Sequence, residues 1–330
     1  MVPLSVLDLS PITAGSTAAE ALRRTADLAR HVERLGFRRF WLAEHHGIPS
    51  VASAATSVVM AHVAGATSSI RVGAGGIMLP NHAPLVIAEQ FGTLESLFPG
   101  RIDLGLGRAP GADPLTARAL RRTADVDPEA FPEEVQELLS YFRPATPGQA
   151  VVAIPGAGLA VPVWILGSSL FGAQTAAALG LPYAFASHFA PTHLHEALTL
   201  YRRHFRPSPY AAAPRVMAAV NVFVAEREDD ARLLFSSLQQ AFVALRRGAP
   251  GPLPAPREGF AASLAPPERA LLDRMLAASV VGTPEQAARG LEGFARETGA
   301  DEIIVASQIY DHQARLRSFE LIAHAAGFAS

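Results

Sequence analysis

Strand-length apolar runs alternate with segments of helical periodicity eight times along this 330-residue chain, and no other feature limits its fold as tightly. The strand-like runs are VPLSVLDLS, FRRFWLAE, IRVGAGGIML, RIDLGLG, VPVWILGS, PYAFASH, RVMAAVNVFVAE and DEIIVAS. Between them apolar residues recur every three or four positions, as with Ala18, Ala21, Leu22, Ala26, Leu28, Ala29 and Val32 between Thr17 and Leu35. Helix boundaries are marked by Pro84 at one start and by Gly36 and Gly180 at two ends. Such alternation requires parallel strand pairing, with right-handed crossovers that lay each helix on the outside of the sheet. Eight units predict an α/β fold, a closed (β/α)8 TIM barrel with insertions, in preference to an open doubly wound sheet. The chain reads as one domain over 1–330, with an insertion at about 109–160 and a Pro/Gly-rich excursion at about 248–280.

Charge and residue usage narrow the function. The 28 basic and 30 acidic residues are well mixed and leave a formal net charge of -2, so no basic field attracts nucleic acid or an anionic membrane. The absence of cysteine excludes disulfides, thiolate nucleophiles and cysteine-ligated metal centres, so redox chemistry needs a bound cofactor. Neither a leader pattern at MVPLSVLDLSP nor a membrane-length apolar run is present, and the expectation is a soluble cytoplasmic protein with a small-molecule ligand.

In a parallel barrel the reacting groups sit just beyond the C-terminal ends of the strands. Polar and glycine residues collect there five times: AEHHG with Glu44, His45 and His46; GGIMLPNHAP; GRAPG; GSSLFGAQ; and SHFAP with His188. The GLGRAPG turn nearly spells a dinucleotide fingerprint through Gly105 and Gly107, but Pro110 stands where the last glycine belongs and Gly111 comes one residue late. A nicotinamide dehydrogenase is therefore a weak reading. Ser168 and Ser169 open a helix, where unpaired N–H donors and the helix dipole favour a phosphate, and Arg108 on the adjacent strand can add a bidentate cation. Gly75 and Gly76 in a strand mark either a bulge at the barrel rim or the close approach of a flat ligand. The spacing of His45 and His46 after Glu44 matches no zinc-site pattern, and no metal site is expected. His45 and His188 are the acid/base candidates.

The segments LGFRRFWLAEHH, RVGAGGIMLPNHAPLVIAEQFGTLESLFPGRIDLGLGRAPG, WILGSSLFGAQTAAALGLPYAFASHF and VGTPEQ with ADEIIVASQIYDHQARLRSFELIA resemble the bacterial luciferase-like flavin monooxygenases, in their non-luminescent branch. The resemblance implies a usually dimeric barrel that takes reduced FMN (FMNH2) from a separate flavin reductase and uses O2 to oxygenate an organic substrate. It implies that Arg108, Ser168 and Ser169 hold the FMN phosphate, with Ser168 departing from the acidic residue found there in luciferase. It places a non-prolyl cis peptide at Gly75 and Gly76 beneath the flavin, groups Met78, Gly107 and Gly167 with the cofactor-binding set, and makes His45 the base, beside Glu44 and His188. The apolar composition, with Phe171, Tyr183 and Phe189 near strand ends, suggests a small apolar substrate. A deazaflavin-using oxidoreductase and a non-catalytic flavin-binding or partner subunit are the alternatives.

Overall fold

The computed structural model describes residues 1–109, 114–120 and 128–328. Pro110, Gly111 and part of the 109–160 insertion lie outside the described residues. Twenty elements order the rest: β1 (Leu4–Asp8), α1 (Ala18–Arg34), β2 (Arg39–Leu42), α2 (Thr56–Ala66), β3 (Arg71–Met78), α3 (Pro84–Leu97), β4 (Ile102–Gly107), α4 (Pro114–Leu120), α5 (Phe131–Tyr141), β5 (Val163–Gly167), α6 (Leu170–Leu179), β6 (Tyr183–Phe185), α7 (Leu194–His204), β7 (Val216–Val224), α8 (Glu228–Arg246), α9 (Pro266–Met275), β8 (Ser279–Gly282), α10 (Pro284–Thr298), β9 (Glu302–Ala306) and α11 (His312–Ala326).

Eight of the strands pair in parallel in the order β1, β2, β3, β4, β5, β6, β7, β9, and β9 returns to β1 to close the barrel. The expected eight runs are these eight strands. One strand was not anticipated. β8 lies between two helices and pairs with the far half of β7, Asn221–Val224 against Ser279–Gly282, while β9 takes the near half, Met217–Asn221. β7 serves both because it runs nine residues. The short run VVAIP forms no strand; it ends in a turn after the cis bond Ile154–Pro155.

Barrel strands are buried on both faces, which explains their continuous apolar runs. Outward side chains such as Val6, Phe40, Leu42, Val72, Leu104 and Val305 pack under the helices. Inward ones, Leu7, Trp41, Trp164, Met217 and Ile304 among them, fill the barrel itself. The rings of Trp41 and Trp164 meet edge to face, 5.6 Å apart at 77°. The Trp41 ring fits because the positions facing it on β3, Gly73 and Gly75, are glycines. A Cβ on Gly75 would stand 2.9 Å from Leu7 Cδ1 and 3.1 Å from Trp41, and one on Gly105 would run into the carbonyl oxygen of Ala74. These glycines are therefore demanded by the packing of the barrel interior.

The N-terminal end of the barrel is closed by charge. Arg39, the first residue of β2, bonds Asp103 on β4 at 2.6 Å and Glu302 on β9 at 2.8 Å, and Asp103 also accepts from Arg71 and from Trp41 Nε1. Arg39, Asp103 and Glu302 are all buried, and the pairing satisfies groups that would be costly to leave alone. The other end of the barrel is where the predicted residues gather.

Candidate active site

At the C-terminal rim, α6 is positioned by the short turn from β5 through Gly167, Ser168 and Ser169. Ser169 is the N-cap residue, in extended backbone geometry, yet its hydroxyl makes no capping bond, so the first-turn N–H groups of α6 keep their donor capacity. Arg108 follows β4, which pairs with β5. Its guanidinium carbon lies 4.1 Å from the centre of the Phe171 ring, in the first turn of the same helix. The exposed carboxylate of Glu129 lies 3.7 Å from it. Pairing of β4 with β5 and stacking on Phe171 thus bring Arg108 beside Ser168, Ser169 and a helix N-terminus, an arrangement that suits a phosphate.

A cis peptide bond joins Gly75 to Gly76, at the place where the β3–β4 register shifts between Ala74 and Ile77. A Cβ on Gly76 would come within 2.8 Å of the Gly105 carbonyl oxygen, and one on Gly107 within 2.9 Å of Met78 Sδ. The space beside the Cα of Gly107 is taken by Met78 from the neighbouring strand. The Gly75–Gly76 segment is thus crowded by Leu7, Trp41, Gly105 and Leu166.

Glu44, beyond β2, is 1% exposed and organises the next part of the rim. Its Oε1 accepts from His46 Nε2 at 2.8 Å and His82 Nε2 at 2.9 Å, and its Oε2 accepts from the Met78 N–H at 3.1 Å. Burial alone would raise its pKa, but bonds from His82, His46 and Met78 outweigh it and hold the carboxyl below its ordinary range. The ligand-type atoms of Glu44, His46 and His82 lie within 4.8 Å of one another, close enough for a cation, and both imidazoles hydrogen-bond the carboxylate. A cavity of about 360 Å³ adjoins them, lined also by Ile77 and Gln90.

His188 follows β6. Asn221 Nδ2, from β7, donates to its carbonyl oxygen at 2.7 Å, while the ring Nδ1 is buried with no hydrogen-bond partner among the described residues. Desolvation, with a smaller push from nearby His45, lowers its pKa to about 4. Two neighbouring imidazoles of which one is held neutral can accept and release a proton without both charging at once. His45 itself is half-buried, in the turn after Glu44.

Nine of the eleven residues expected at the site lie on strand ends or the turns after them, on one rim of the barrel, while Gly75 and Gly76 lie within β3. The roles of three participants escaped sequence reasoning. His82 stands within the quoted GGIMLPNHAP turn but has no spacing relation to Glu44; Phe171 reads as an aromatic near a strand end that hints at an apolar substrate, not as the partner of Arg108; Asn221 reads as one polar residue in an apolar strand. Each is recruited by a neighbour distant in sequence.

Residues 2–302 match the family model for luciferase-like monooxygenases. The chain belongs to this family. It is 52% identical over 320 residues to a luciferase-like monooxygenase of Escherichia coli K12, covering 97% of this chain and 96% of that protein. Among solved structures, apo-MsnO8 is similar over 100% of this chain and 99% of its own, with 34% identity and a TM-score of 0.89. The oxygenating constituent of 3,6-diketocamphane monooxygenase from Pseudomonas putida, solved with FMN, shares the fold at 18% identity and a TM-score of 0.72, covering 98% of this chain and 96% of that one. As a luciferase-like monooxygenase, the chain is a flavin-dependent oxidoreductase. Among the described residues of this family member, no helix is long and apolar enough to cross a membrane.

Proposed function

We propose that this luciferase-like monooxygenase binds FMN, uses it in the reduced form with O2, and oxygenates a small apolar organic compound. The observation that carries the reading is the meeting of Arg108, stacked on Phe171, with the Ser169-capped start of α6. The Ser169 hydroxyl, which makes no capping bond, the first-turn N–H donors and a guanidinium paired at 3.7 Å with the exposed Glu129 form a donor set that fits a phosphate dianion. The diketocamphane enzyme, which shares the fold, was solved with FMN, and this supports the choice of cofactor.

In this reading Arg108, Ser168, Ser169 and the backbone of Gly107 and Gly167 hold the phosphate, and Gly75, Gly76 and Met78 face the ring. Bound reduced flavin supplies the two electrons that let one oxygen atom enter the substrate while the other leaves as water. The chain's own part is to orient and to move protons. Glu44, fixed by three donors, pins the end of β3 through the Met78 N–H and orients His46 and His82. His188, held neutral near pH 7, adds no opposing charge when His45 takes up a proton on that rim. The protein works as a cytoplasmic homodimer supplied with reduced flavin by a separate reductase.

Anaerobic titration with FMN and with FMNH2, followed by flavin fluorescence and absorbance, tests the cofactor. Saturable binding of either one in the micromolar range is expected; no binding of either at tens of micromolar, or binding of a deazaflavin alone, overturns it. Mixing the reduced complex with O2 tests catalysis. The bound flavin should reoxidise more slowly than free reduced flavin and through more than one phase, whereas a mere carrier releases it to oxidise as free flavin does.

A further inference from the structure

The opposite, N-terminal face of the barrel carries a cavity of about 590 Å³ with an unusual charge balance. Five arginines, Arg38, Arg39, Arg71, Arg143 and Arg215, stand around it. Against them are Asp103, in the wall, and Glu302, buried behind it, a surplus of three positive charges that Asp301 beside Arg215 reduces to two. The carboxylates are already taken by the inner arginines: Asp103 by Arg39 and Arg71, and Glu302 Oε1 by Arg39 Nε at 2.8 Å. Arg38 and Arg215 approach Glu302 Oε2 only to 3.7 and 3.6 Å, beyond hydrogen-bond length, and that oxygen has no hydrogen-bond partner among the described residues.

The outer guanidinium groups are held in place without being used up. Arg215 lies over the Trp164 ring at 5.2 Å from its centre, and Arg39 lies over the same ring at 5.4 Å. The side chains of Arg38 and Arg215 keep 42% and 38% of their surface open. Burial first, and then the charges of Arg39 and Arg38, disfavour the protonated form of Arg215, as expected where positive charges crowd a partly desolvated pocket. The rest of the wall is apolar or aromatic, with Leu139, Phe142, Pro209 and Tyr210.

We infer that this cavity is a second ligand site, remote from the rim that carries the redox chemistry, and that it takes a phosphorylated organic molecule of about nucleoside diphosphate size. A phosphate presents several acceptor oxygens with the geometry that guanidinium forks match in pairs, and its two charges offset the surplus. The apolar wall gives an attached ring or base a surface to cover, and the volume lies in the ordinary range for small-molecule sites. An inorganic anion would use only the arginines.

The two tryptophans provide a readout that needs no flavin, since Trp164 lines the cavity and touches Trp41. Titration of the flavin-free protein with ADP at low ionic strength, monitored by tryptophan emission and by thermal shift, should give saturable binding below millimolar concentration. Pyrophosphate should bind at least threefold more weakly than ADP. The Arg38→Gln/Arg215→Gln double variant should raise the ADP Kd tenfold or more. The Arg143→Ala variant, which alters an exposed rim residue and leaves the buried carboxylates paired, should raise it at least twofold. Arg108→Ala should leave it unchanged. The proposal is overturned if ADP fails to saturate the response up to several millimolar, if ADP binds no tighter than pyrophosphate, if both arginine variants bind as the parent does, or if Arg108→Ala abolishes binding. Binding of an acidic polypeptide in place of ADP, at matched charge, likewise overturns it in favour of a protein-docking face.

Discussion

The guanidinium of Arg108 stacks on the ring of Phe171, 4.1 Å from its centre, and this contact between the turn after β4 and the first turn of α6 aims a fixed cation at a helix N-terminus. Arg108→Ala removes a charge-assisted bond and should weaken FMN binding by about 1.5–3 kcal/mol, or roughly 10- to 150-fold in Kd. Phe171→Leu keeps the bulk and loses the stacking, worth about 0.5–1 kcal/mol. Flavin titration of both variants, with circular dichroism to verify folding, checks the pair. Equal affinity in all three proteins would place the phosphate elsewhere.

Glu44 is held below the ordinary carboxylate range, chiefly by His82 and then by His46 and the Met78 N–H, against the opposing effect of burial. A folded-state pKa lower than the unfolded one contributes stability that is complete above about pH 4.5 and is lost as the pH falls through the folded value. Glu44→Gln should therefore flatten the acid limb of the stability profile. It should also cost about 1.5–3 kcal/mol at pH 7, since two imidazole donors lose a charged acceptor. Urea unfolding of both proteins from pH 7 down to pH 3 measures both effects.

His188 is shifted downward to about 4 from an ordinary value near 6.5, so the unfolded chain binds the proton more readily than the folded one. Its effect runs the same way on the pH axis: stability is unaffected above about pH 6.5 and declines as the pH falls toward 4, by up to roughly 3 kcal/mol. His188→Gln should remove this decline. An NMR titration that finds the His188 ring protonating above pH 6 would contradict the assignment.

Gly105→Ala places a methyl group against the Ala74 carbonyl oxygen, a backbone atom that cannot turn aside. The cost should be about 1–3 kcal/mol, visible as a lower midpoint in thermal unfolding. Gly293→Ala, on the open surface of α10, is the control and should be neutral or slightly stabilising.

The eight barrel strands were legible because each is an apolar run bounded by local turn chemistry, and helices such as Glu228–Arg246 and Pro284–Thr298 because their periodicity is also local, the second reinforced by the Thr283–Gln286 capping box. β8 was not legible: SVVG is four residues between two helical segments, too short to carry a periodic signal, and it becomes a strand only through pairing with the end of β7. The glycines of β3 and β4 were legible as places of close approach, while the protein atoms packed beside them were not. Trp41, Leu7 and the facing strand fill the space beside Gly75 and Gly105, and Met78 the space beside Gly107.

Composition, strand–helix alternation and the polar ends of the strands thus specify the barrel class and place Arg108, Ser168, Ser169, His45 and His188 together beyond the strand ends, since these signals reside in short stretches of chain. Closure of the barrel does the rest. It sets His82 on Glu44, Phe171 under Arg108 and Asn221 on His188, and it gathers five arginines around two buried carboxylates at the other end. Such partners come from strands separated by tens to hundreds of residues, and their spacing in the chain carries no trace of a contact created only when parallel strands come into register.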